Sequence, residues 1–152
     1  MSERTPQNYS NHTRFDPWFH FFLAPVFLIA LIMSLVHFFA HLGKNSLWGN
    51  IHSLLIVVLA FAMFVLLFKV RLYALKVQDR VIRLEEQLRL MRVLPEPLRS
   101  RIPELTVDQL CALRFASDAE LAKLVEYTLT QKPSRKEIKK AVQNWRPDYW
   151  RV

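Results

Sequence analysis

Two stretches of the chain carry no Asp, Glu, Lys or Arg: the 27 residues between Asp16 and Lys44, and the 24 between Lys44 and Lys69. Each exceeds the roughly 20 apolar residues that a helix needs to cross a bilayer. Fifteen residues from Trp18 to Leu42 are Leu, Ile, Val or Phe. At about −0.3 to −0.6 kcal/mol apiece they favour insertion by roughly 5 to 9 kcal/mol, which Pro25 and Ser34 do not cancel. The second run is apolar without a break from Leu54 to Phe68, and a helix that is hydrophobic all round has no stable place in a small water-soluble domain. The pattern therefore predicts two transmembrane helices, over 17–43 and 48–68. The first far exceeds the apolar core of a cleaved signal and no small-x-small site follows it, so it reads as an anchor.

Only a short polar loop, 44–47, joins the two runs, and a connection of that length predicts antiparallel neighbours, a helical hairpin. Basic residues set its orientation. The bridge holds Lys44 alone; the N-tail, 1–16, holds Arg4 and Arg14, and the stretch after Phe68 holds Lys69, Arg71, Lys76, Arg80 and Arg83. Seven against one places both termini in the cytoplasm. Trp18, Phe19, Phe21 and Phe22 at one boundary and Trp48 at the other suit the headgroup levels.

No glycine or proline separates Phe68 from Leu94, so the second helix is expected to continue as an arm, 69–94, that stops at Pro95. Leu67, Val70, Ala74, Val77, Val81, Leu84, Leu88 and Met91 follow one another in alternating steps of three and four, the spacing of a coiled-coil seam. Val70, Val77, Val81, Leu84, Leu88 and Met91 are thus the candidate face for a second copy or a protein partner. In this register Arg80 takes a g position and Glu85 the following e′ position, which pair across a parallel dimer. Within one helix, Glu85 with Arg89 and Asp79 with Arg83 have the spacing of local ion pairs. A second stripe, Leu75 and Ile82 with Leu72 and Leu90 nearby, lies off the seam and needs a different cover.

The remainder, 95–152, announces three helices by capping boxes, Thr106 with Gln109, Ser117 with Glu120 and Ser134 with Glu137. They predict helices over 107–115, 118–130 and 135–145. Their apolar faces are Leu110, Leu113 and Phe115; Leu121, Leu124, Val125 and Leu129; and Ile138, Ala141, Val142 and Trp145. A module of this size buries too little surface to be comfortably stable alone. Docking on the arm's spare stripe, within one chain or between two, would supply the missing contact. The predicted fold class is an all-α membrane protein: a two-helix hairpin, a coiled-coil-like arm and a small bundle of three short helices.

Composition narrows the chemistry. The chain has 152 residues, 52% of them apolar, a formal charge of +8 and two glycines. So few glycines exclude turn-rich β architectures and phosphate-cradling glycine loops. Cys111 is the only cysteine, so no intrachain disulfide forms. Paired-cysteine metal sites, a G-x-S-x-G elbow and H-E-x-x-H are all missing from the sequence. The chain reads as a non-enzyme with no cofactor predicted. His37 and His41 share a face near one end of the first span and His52 lies near the adjoining end of the second, so a metal or haem site from His37, His41 and His52 is the alternative reading. His20 belongs to the aromatic belt, and His12 stands in a polar tail with nothing nearby to complete a site. Arg135, Lys136, Lys139 and Lys140 form a basic face. It reads first as a solvated surface, next as a contact for anionic lipid, and only third as a nucleic-acid grip.

Several strings are distinctive: Gln7-Asn8-Tyr9-Ser10-Asn11-His12-Thr13-Arg14, Arg71-Leu72-Tyr73-Ala74-Leu75-Lys76-Val77-Gln78-Asp79-Arg80, Leu113-Arg114-Phe115-Ala116-Ser117-Asp118 and Ser134-Arg135-Lys136-Glu137-Ile138-Lys139. In these the chain resembles a bacterial family of short two-span membrane proteins catalogued as a domain of unknown function. The resemblance implies a bacterial inner membrane, two spans and cytoplasmic C-terminal helices, and brings no activity with it. The leading expectation is a multi-pass inner-membrane scaffold that self-associates or binds an unknown protein partner through its arm.

Overall fold

The computed structural model describes residues 6–13 and 15–149. Among these the regular structure is helical throughout, with a single isolated bridge between Ala116 and Trp145. The chain forms two compact units. One is Phe15–Ala74; the other joins Leu75–Val152 to the N-terminal segment that ends at residue 14.

In the first unit a helical span runs from Trp18 to His41. Its opening turns, Trp18–Leu23, are π-helical, and helix α1 continues over Ala24–His41. Pro25 explains the change of pitch. It has no N–H for the carbonyl four residues back and its ring collides with that carbonyl, so the turn before it widens; the Ala24 amide accordingly bonds five residues back, to Phe19 O. After α1 the chain turns through Gly43, whose φ of +79° is the left-handed conformation that ends helices without steric cost. Helix α2 then runs from Leu47 to Val93. Its break comes where expected, just before Pro95, but its start is one residue earlier than the loop chemistry suggested. Both Trp18–His41 and α2 are long and apolar enough to cross a membrane, with mean hydropathies of 2.4 and 2.8 in their most apolar stretches. Within Trp18–His41 and the part of α2 that belongs to this unit, up to Ala74, few side chains are buried. The exceptions are small and polar: Ser34 and Ser53 are buried, each hydroxyl donating to a carbonyl of its own helix, Leu31 O at 2.8 Å and Asn50 O at 3.0 Å. Phe19 meets Phe68 edge-on at 6.0 Å and lies 5.6 Å from the Arg71 guanidinium.

The second unit is built on the last turns of α2. A 3-10 turn, Arg99–Glu104, leads into α3 (Val107–Leu113), α4 (Asp118–Gln131) and α5 (Arg135–Ala141). Each of the three begins at its expected capping box, with Glu120 and Glu137 reaching back to the Ser117 and Ser134 amides. Their apolar faces close on one core, in which Leu110, Leu113, Leu121, Val125 and Ile138 are buried, and Leu90 of α2 and Leu94 just after it enter the same cluster. The off-seam stripe therefore has its cover: Ile82 and Leu90 are buried. Leu72, which the pattern placed with them, belongs to the other unit and is exposed.

The expected helix over 135–145 is shorter than predicted and ends at Ala141. The chain bends at 143–144 instead and bridges at Trp145, whose ring covers Phe115, 4.9 Å away, while the backbone pairs across with Ser117 N on Asn144 O and Arg146 N on Phe115 O. The Glu120 carboxylate fixes this strap by accepting from the Gln143 and Asn144 amides, both at 3.1 Å, as well as capping α4.

Cys111 is fully buried in this unit, and burial followed by the nearby Asp79 charge pushes its thiol up to about 11. It therefore reports on unfolding of the unit in the intact chain. A disulfide reagent is expected to leave Cys111 unmodified until denaturant opens the unit, and Leu90→Ala, which empties the α2 anchor, is expected to lower that stability by about 2 to 5 kcal/mol. Unchanged protection of Cys111 across a denaturant titration of the variant would contradict the assigned core.

Candidate functional site: an open seam beside a buried arginine

Helix α2 presents two different sides in its last turns. Val77, Val81, Leu84, Leu88 and Met91 are 47–62% exposed, as is Val70 at 60%. All six predicted face residues are thus uncovered by the chain's own fold. The opposite side, at Ile82, Glu86, Arg89 and Leu90, is the one that packs. Arg80 and Glu85, flanking the seam, are exposed as well.

Arg89 is the polar centre of the packed side. Its Nε donates to Asp118 Oδ1 at 2.8 Å, Nη2 donates to the same oxygen and to Ala116 O at 2.7 Å, and Nη1 donates to Glu86 Oε2 at 3.1 Å. The sequence pairings are corrected here: Arg89 is held by Glu86 and Asp118 rather than Glu85. Asp79 faces Arg135 at 4.0 Å and accepts from the Cys111 thiol at 3.5 Å, and it makes no pair with Arg83. Tertiary partners displaced the local ones because the module buries this flank of α2. A sequence signal existed, since Glu86 and Arg89 fall four and seven residues after Ile82, inside the spare stripe. Burial pushes the Glu86 carboxyl up from its ordinary value, against the pull of Arg89 and then of Arg146 and Arg114.

The N-terminal segment docks on the same unit, which no local pattern foretold. Gln7 exchanges hydrogen bonds with the backbone of Asp148, accepting from its amide at 2.8 Å and donating to its carbonyl at 3.3 Å. His12 sits against Phe115 and Trp145, at 5.8 and 5.6 Å. Its Nδ1–H donates to Tyr9 O at 2.7 Å, which leaves Nε2 to accept from Lys139 Nζ at 3.0 Å. His12 was expected to have nothing nearby to complete a site; beyond Tyr9, its contacts come from residues more than a hundred positions away in sequence.

The other candidates are dispersed. His37 and His41 stack at 4.5 Å, with His41 Nδ1 donating to His37 O at 3.0 Å. His52 does not join them: among the described residues no group of three metal-ligating side chains comes together. In the basic face, Arg135 is engaged by Asp108 at 3.2 Å and by Asp79, and Lys139 lies over Phe115 and on His12. Lys136 and Lys140 are exposed, with Lys140 over the Tyr9 ring at 5.9 Å.

The structure defines a class: an all-helical chain with two helices long and apolar enough to cross a membrane and a separately packed helical module. The chain belongs to DUF6526, a family of unknown function, whose model matches residues 1–152. No curated protein and no solved structure matches it.

Replacing Arg89 by Met keeps the stem but leaves the Glu86 carboxylate and the Ala116 carbonyl without their donor, and is expected to cost about 3 to 5 kcal/mol in denaturant unfolding. Glu86→Gln separates charge from shape. A carboxyl whose native pKa is raised holds a proton that the unfolded chain has released, so its contribution is full below 4.5 and is lost as pH rises through the raised native value. The unfolding midpoint of the wild type is expected to fall relative to that of Glu86→Gln as pH is raised across this window. A constant difference would mean that Glu86 titrates as if exposed.

Proposed function

We propose that this protein is a bacterial inner-membrane scaffold that spans the bilayer twice as an antiparallel hairpin, keeps both ends in the cytoplasm and self-associates through the seam of α2. The single observation behind self-association is the open seven-residue repeat, left uncovered while the opposite side of the same helix is fully used. A repeat of that period fits another helix of the same kind, and the flanking charges, Arg80 at g and Glu85 at e′, complement each other only between parallel copies. The occupant proposed is therefore a second copy of the chain. Docking of the N-terminal segment on the C-terminal module supports the topology, because both ends then share one side of the membrane. The seven-to-one bias of basic residues favours the cytoplasm for that side.

The test is cysteine crosslinking in native membranes, in a Cys111→Ala background. Val77→Cys and Leu84→Cys, both at d positions, are expected to give covalent dimers under mild oxidation, and Arg83→Cys, off the seam, is not. Adding Leu88→Glu is expected to abolish the crosslink at Val77→Cys. Monomer alone at both seam positions removes the dimer. A purified sample carrying stoichiometric haem or transition metal would instead favour the reading built on His37, His41 and His52.

A further inference from the structure

A cleft of about 740 Å³ opens beside the Arg89 network, between α2, the end of α3 and the strap that carries Arg146, Pro147 and Asp148. One wall residue is anomalous. Arg114 is 5% exposed, yet among the described residues none of its guanidinium nitrogens has a hydrogen-bond partner. Its Nε lies 3.0 Å from Asp148 Oδ2, off the line that an N–H would need, and its Cζ rests 4.5 Å from the Phe115 ring. A guanidinium carries five donors in a rigid fork, and buried polar groups without protein partners are rare in native proteins, so these donors are open to a ligand.

The charges around it indicate which kind. Four arginines and four carboxylates line the cleft, but Arg89 occupies Glu86 and Asp118. That leaves Arg92, Arg114 and Arg146 facing Glu85 and Asp148. Among the described residues Arg92 makes no ion pair, and Arg146 has only the Glu86 oxygen at 3.6 Å. Three guanidinium forks around one space match a phosphoryl group, which offers several acceptor oxygens and up to two charges, better than they match a single carboxylate. The rest of the wall is apolar, with Ile82, Leu88, Val93 and Pro147, and suits an organic substituent.

We propose that this cleft binds a phosphate ester whose phosphoryl oxygens replace the Asp148 carboxylate on Arg114 and are gripped by Arg92 and Arg146. Asp148 stands in for the ligand when the cleft is empty. The same chemistry is offered by a soluble phosphate ester and by a phospholipid headgroup. This inference needs no second copy, since every wall residue comes from one chain, although Glu85 and Leu88 also border the proposed seam.

The experiment takes full-length protein in a phosphate-free detergent and follows the denaturant midpoint of Cys111 labelling against inorganic phosphate, phenyl phosphate and short-chain phosphatidic acid, with chloride at matched ionic strength. A saturable rise in midpoint is expected. Response to the soluble probes assigns a soluble ester, and response to phosphatidic acid alone assigns a lipid headgroup. Arg92→Gln and Arg146→Gln, at exposed positions that leave the core intact, are each expected to weaken the apparent affinity about tenfold. Asp148→Asn is expected to strengthen it, because the competing carboxylate is gone. No saturable response to any probe, a response unchanged by Arg92→Gln and Arg146→Gln together, or weaker binding in Asp148→Asn overturns the proposal.

Discussion

The buried guanidinium of Arg89 ties helix α2 to the module that follows it. Its donors reach Glu86 on its own helix, Asp118 at the start of α4 and the Ala116 carbonyl in the corner between α3 and α4. An apolar contact at this place would allow the module to rotate or slide on α2, because dispersion and burial are not directional. A planar fork with three fixed acceptors allows one arrangement. Charge burial is costly, and the raised pKa of Glu86 is the visible sign of that cost. The return is register: α2 shows Ile82, Glu86, Arg89 and Leu90 to the module, and so must turn Val77, Val81, Leu84, Leu88 and Met91 away from it.

The strap completes the same logic from the other end of the chain. Trp145 leaves the α5 helix early to cover Phe115, and Glu120 holds the following amides. Asp148 is thereby carried over Arg114, and Gln7 fixes Asp148 from outside. The N-terminal segment, the strap and the α3–α4 corner are therefore linked through a short series of contacts. Asp148 thus meets Arg114 with its carboxylate and Gln7 with its backbone, so a ligand of the proposed kind would displace the side chain of the residue whose backbone Gln7 holds.

What the sequence disclosed follows from the range of each interaction. Periodicity and caps are local, so the two apolar helices, the end of α2 before Pro95 and the three capped starts at Thr106, Ser117 and Ser134 were legible. The apolar repeat of seven along α2 was legible too, since it is a property of one helix, whereas its exposure depended on where the module packs. Arg89 was misread because its spacing from Glu85 satisfies a local rule, and only the stripe from Ile82 through Glu86 hinted that the position would be buried. Trp145 kept the helical period of α5 but was drawn out of the helix by a contact with Phe115. His12 and Gln7 gave no signal, because their partners are 127 and 141 residues away and a polar tail has the same composition whether or not it docks.

A membrane anchor changes what a seam of this kind needs in order to pair. Valine and alanine supply much of it, so the area each position can bury is modest, and a free peptide of this length would associate weakly in solution. Two chains held in one bilayer meet at a much higher effective concentration, and they meet already oriented. With both copies inserted the same way, antiparallel pairing of the proposed arms is geometrically excluded, and the charges at Arg80 and Glu85 are left to set register rather than direction. In the proposed assembly the module adds a further restriction: by occupying the flank at Ile82, Glu86 and Arg89, it would leave one face of α2 to the second copy, which favours a pair over a larger bundle.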